Sequence, residues 1–106
     1  MRCLDRVKEA LLSVTENVGH YEALKKDDRY IIWAEDGSGG KLGTDNTARY
    51  QAIQGTIDFY TKTENDPYVE AIQEALRNAK ICFYLNSVQW EGLTKIIHYE
   101  WVFEVS

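Results

Sequence analysis

The chain has 106 residues with a net charge of -5 and an isoelectric point near 5.0, which excludes a broad basic surface for gripping phosphate backbones. Its 44% hydrophobic and 27% charged residues suit one globular domain over residues 1–106, and no apolar run reaches the length of a bilayer-spanning helix. The N-terminal twenty residues carry acidic side chains inside their apolar pattern, unlike a signal peptide.

Leu4, Val7, Leu11 and Val14 recur at three- and four-residue steps and predict an amphipathic helix over 2–15. His20 follows as a turn histidine with no partner evident in sequence. RYIIWAED, residues 29–36, reads as a strand whose two rows are both largely apolar, so both faces are expected to be covered. DGSGGKLGTDNT, residues 36–47, holds four of the seven glycines and is expected to be a surface loop. It is no phosphate loop, because Leu42 stands where Ser or Thr must follow Gly40-Lys41 and Glu35 stands where the first glycine belongs. The same Leu42 breaks a dinucleotide fingerprint begun at Gly37 and Gly39. Thr47 stands where a calcium loop starting at Asp36 needs glutamate.

The next strand places Ile53, Gly55, Ile57, Phe59 and Thr61 toward a core and Gln54, Thr56, Asp58, Tyr60 and Lys62 outward. Gly55 marks a bulge or a close backbone approach. Asp66 and Pro67 then cap and open a second helix, with Val69, Ile72, Leu76 and Ala79 as its buried stripe and Glu70 and Glu74 outside. A further strand sets Ile81, Phe83 and Leu85 against Cys82, Tyr84 and Asn86. After the Glu91-Gly92 turn, the last strand sets Ile97, Tyr99, Trp101, Phe103 and Val105 against His98, Glu100 and Glu104. Strands in adjacent groups favour an α+β fold: an antiparallel sheet of about four to five strands with two helices on one face.

Chemistry leaves a thin trace. His98 and Glu100 lie close enough to share a metal, but no third ligand motif accompanies them, and a solvated strand face is the plainer reading. No serine sits in a nucleophile-elbow setting. Cys3 and Cys82 belong to no paired motif, and reduced thiols are expected. No cofactor and no catalytic residue emerge. Tyr60 and Tyr84 fall on outward parities, which fits either a protein interface or a second layer of packing.

TIDFYTKTENDPYVEAIQEAL and KIIHYEWVFEVS resemble small prophage-encoded tail proteins, similar to the tail terminator or tail-completion proteins of long-tailed bacteriophages. The resemblance runs from about Tyr30 to Val105 and rests on element order and texture. It implies a protein made in the bacterial cytoplasm that joins the virion at the tail or neck. There it forms a ring, commonly a hexamer, that stops tail-tube growth and joins tail to head without chemistry. The implied partners are copies of itself, the tail-tube protein and head-connector proteins, with no specific nucleic-acid or membrane binding. An acidic ring suits a channel through which DNA passes without sticking. The glycine segment Asp36, Gly37, Ser38, Gly39, Gly40, Lys41, Leu42, Gly43, Thr44 and Asp45 becomes a candidate contact arm, and Tyr60 and Tyr84 candidate interface aromatics. The alternatives are a head-tail connector or other minor capsid protein, a small α+β binding or regulatory module, and an enzyme.

Overall fold

The computed structural model describes residues 2–39 and 52–106. The elements run α1 (Arg2–Leu12), β1 (Val18–His20), β2 (Arg29–Gly39), β3 (Ala52–Thr61), α2 (Pro67–Asn78), β4 (Cys82–Glu91) and β5 (Ile96–Val105). The five strands form one sheet in the order β1-β2-β3-β5-β4. β1 runs parallel to β2, and the other neighbours are antiparallel. The α+β class and the two helices on one face agree with the sequence reading.

α1 stops earlier than the apolar periodicity predicts. The Ser13 hydroxyl donates to the Ala10 carbonyl at 2.6 Å, and the Val14 amide reaches only three residues back, to Leu11, at 3.0 Å. That tightening ends the helix and leaves Val14 packed against the core from a turn. β1, which the sequence reading missed, is three residues of edge strand. Gly19 fits there because a side chain could not: a Cβ would lie 1.9 Å from the Glu22 carbonyl oxygen. Gly55 is the second tight approach, where a Cβ would meet the Ala34 carbonyl oxygen at 2.2 Å and the Phe103 ring at 2.7 Å. It pairs with Glu35 beside the β2 bulge, so both readings offered for it hold in part.

The core lies between the helices and one sheet face. Leu4, Val7 and Leu11 of α1 meet Ile72 and Leu76 of α2 over Ile31, Trp33, Ile57, Phe59, Trp101, Phe103 and Val105. Of the row predicted to face the core in the last strand, Trp101, Phe103 and Val105 are buried, whereas Ile97 and Tyr99 are half-buried. β5 is a central strand between β3 and β4, so its outward charges guard no sheet edge. Three devices lock the layers. Asp66 caps α2 through the Tyr68 amide at 2.9 Å, as predicted, and also receives the Thr61 hydroxyl at 2.6 Å and the Arg29 Nε at 2.8 Å. Arg6 of α1 donates to the carbonyls of Ala79 and Lys80 at the C-terminal end of α2 and to that of Ser106. The Trp101 indole donates to Gln73 Oε1 of α2 at 3.1 Å.

Candidate assembly surface

Among the described residues, three regions outside the core bear on function. The first is the sheet face opposite the helices. Tyr30, Tyr60 and His98, on β2, β3 and β5, stack ring on ring with centroids 4.6 and 4.3 Å apart. His98 Nε2 lies 2.7 Å from Asp58 Oδ1. Ser87 donates to Glu100 Oε1 at 3.3 Å. Tyr30 is buried although it points away from the helices, because its neighbours on this face close over it. Burial, reinforced by the nearby Asp58 charge, pushes the Tyr60 hydroxyl up to about 12. Burial also raises the Asp58 carboxyl, against the opposing pull of His98.

This geometry separates the two outward tyrosines. Tyr60 is half-buried between two rings, which is the packing reading. Tyr84 stands exposed on β4 and can meet a partner. His98 turns to Asp58, and among the described residues no group of three His, Cys, Asp or Glu side chains is arranged to hold a metal ion. Cys3 and Cys82 are free thiols.

The second region is the β4 edge. β4 carries a bulge at Asn86, because Leu85 pairs with Trp101 and Ser87 with Glu100. The extra residue shifts the parity, so Leu85, Val88 and Trp90 all face the helix side, in register with Trp101, Tyr99 and Ile97. The helices do not reach over this edge. Leu85 is 43%, Val88 52% and Trp90 66% exposed, and Leu93 in the following turn is fully so. Leu85 is therefore not the core residue that its alternation with Phe83 implied. Val88, Trp90, Ile97 and Tyr99 line a shallow hollow of about 370 Å³ with Glu64 and Asn65. Sequence reasoning missed this patch because a strict period of two runs past the bulge and sorts Val88 and Trp90 with the polar row. The signal was present in the apolar spacing of Leu85, Val88, Trp90 and Leu93 within an otherwise polar segment.

The third region is the opposite edge. Leu12, Val18, Gly19, Leu24 and Trp33 line a cavity of about 430 Å³ together with Lys8, His20, Glu22 and Ala23. Leu12, Tyr21 and Leu24 are exposed around it. His20 is not a solitary turn histidine. Its ring stacks between Tyr21 and Trp33, and its Nε2 lies 2.7 Å from Glu35 Oε1. Tyr21 donates its hydroxyl to the other Glu35 oxygen at 2.6 Å. Burial alone would raise the Glu35 carboxyl, but the bonds from Tyr21 and His20 outweigh it and hold the group below its ordinary value.

The candidate contact arm divides. Asp36, Gly37, Ser38 and Gly39 are strand rather than loop, with Gly37 to Gly39 paired to Gln54, Ile53 and Ala52 of β3. The register shifts at Asp36 and resumes at Gly37. Gly40, Lys41, Leu42, Gly43, Thr44 and Asp45 lie outside the described residues.

No family model matches the chain, and no curated protein matches it. Among solved structures, the chain is similar in fold to a chain of the virion of a native gene transfer agent particle. The TM-score is 0.55 and the identity 12%, over 93% of this chain and 89% of that one. At that identity the likeness is one of fold.

Proposed function

We propose that this protein is a structural virion component of a phage-like particle, which completes the tail tube and joins it to the head as a ring of identical copies, without catalysis. The observation that carries the reading is the nearly end-to-end fold likeness to a chain of a gene transfer agent virion. A short shared motif would say less, since here 93% of the chain corresponds to 89% of its counterpart.

The surface supports the same reading. A closed ring requires two different patches on each subunit, one meeting the other on the next copy. This sheet has an apolar patch at each of its two edges. The net charge of -5 disfavours phosphate binding and suits a passage for DNA. In this reading the tail-tube and head-connector proteins are the remaining partners.

Light scattering over a range of concentrations, followed by negative-stain microscopy, tests the proposal with and without a phage-type tail-tube protein. Closed rings, alone or on tube ends, are the expected result. A protein that stays monomeric alone and leaves tubes uncapped would overturn it.

A further inference from the structure

We propose that the ring contact is head to tail. The exposed β4 edge of one copy, led by Trp90, docks into the β1-edge cavity of the next copy. This inference rests on the ring-forming reading above and names the surfaces that would build it.

Four observations point to a second copy as the occupant. First, the patches lie at opposite ends of the strand order, the outermost strands being β1 and β4. Second, they overlap in height on the sheet: Leu85 and Val88 are level with β1, and Trp90 stands two residues further along, in register through Ile97 and Thr61 with Arg29. The registers chain Val18 to Ile31, Phe59, Tyr99 and Val88, and the neighbouring row runs from His20 through Trp33, Ile57 and Trp101 to Leu85. Both patches also face the helix side. Third, the shapes are complementary. One edge offers a protruding indole, 66% exposed, and the other a cavity of about 430 Å³ floored by Trp33, roomy enough for that ring. Fourth, the cavity rim offers Glu64 a cation: Glu64 lines the hollow beside Trp90, and Lys8 lines the cavity alongside Glu22. Lys8 makes no ion pair among the described residues. A two-fold pairing of β4 with β4 would instead bring the Glu64 side chains toward one another and leave the cavity uncovered.

Complementary variants test this. Trp90→Glu removes the protruding ring but keeps the cavity, and Leu24→Glu spoils the cavity but keeps the ring. Both positions are exposed, so each variant should fold, which circular dichroism and thermal unfolding check. Each alone should lose assembly, with association weakened roughly thirtyfold or more, as expected for a central tryptophan anchor. Mixed one to one, they retain a single competent contact and should give a heterodimer and nothing larger, read by native mass spectrometry. Either variant assembling as the wild type does, or a mixture that stays monomeric, would overturn the proposal. If β4 paired with β4, Leu24→Glu would assemble normally and the mixture would show no heterodimer. A wild type that forms rings while these variants also form rings leaves the ring reading standing and removes only this contact. A wild type that never associates removes both.

Discussion

Two aspartates on the same hairpin-to-helix stretch meet opposite fates. Asp66 is 2% exposed, yet burial does not neutralise it. Burial would raise its carboxyl, but Thr61, the Tyr68 amide and Arg29 all donate to it and hold it below its ordinary value. Asp58, on the far face of β3, has one close partner in His98, and burial wins, so its carboxyl is raised. The difference is the number of donors aimed at the charge. It separates a region that holds the fold together from a region whose polarity the fold merely tolerates. Asp66 joins β2, β3 and the start of α2, whereas Asp58 belongs to an aromatic surface that needs only to be presented.

The largest expected break in that contrast is Asp66→Ala. It removes the helix cap and leaves the Thr61 hydroxyl and the Arg29 guanidinium without their acceptor. The expected cost is about 3 kcal/mol in urea unfolding, given that Arg29 retains some access to water. The acid limb carries the same signature. A carboxyl whose folded value is depressed contributes stability above its unfolded value, about 3.9, and loses that contribution as pH falls through the folded value. Stability should therefore drop below about pH 4, and Asp66→Asn should flatten that drop. A cost under about 0.5 kcal/mol for Asp66→Ala would mean that the cluster is incidental.

Much of this inner region was legible in the sequence. The Asp66-Pro67 start of α2, the buried rows of β3 and β5 and the role of Gly55 follow from local rules on capping, alternation and close approach. These act between near neighbours, so the residue types carry them. What was not legible depends on partners far along the chain. Thr61 is buried as its row predicts, but the row does not show that its hydroxyl shares the Asp66 carboxylate with Arg29 of β2. β1 is too short to show a period and exists because Asn17 and Tyr21 bracket Ile31 and Trp33 with backbone bonds. The β4 edge was misread for a different reason. One inserted residue inverts the parity of everything after it, and no local propensity marks where that happens.

The outer face gives the next effect, at the other end of the pH scale. The Tyr60 hydroxyl, raised to about 12, stays neutral in the folded protein where the unfolded chain ionises near 10. The unfolded state then binds fewer protons, so stability falls as pH rises above about 10. Tyr60→Phe should remove most of that loss while leaving stability near neutral pH little changed. An alkaline limb that survives the substitution would place its origin elsewhere among the seven tyrosines.

The smallest expected effect is the most telling. Asp58 has a raised carboxyl, so its sign is opposite to that of Asp66. The folded state holds this proton more tightly than the unfolded chain, and the charge opposes folding once pH has climbed past the folded value. Asp58→Asn removes that opposition but offers His98 a weaker acceptor. The two changes act against each other and should leave stability at neutral pH within about 1 kcal/mol of the wild type. In a urea series across the acid range, Asp58→Asn should shift the curve opposite to Asp66→Asn. A loss as large as that of Asp66→Ala would show that the stacked face braces the sheet as strongly as the capped helix does. It would then be part of the scaffold, and the surfaces left for partners would narrow to the two sheet edges.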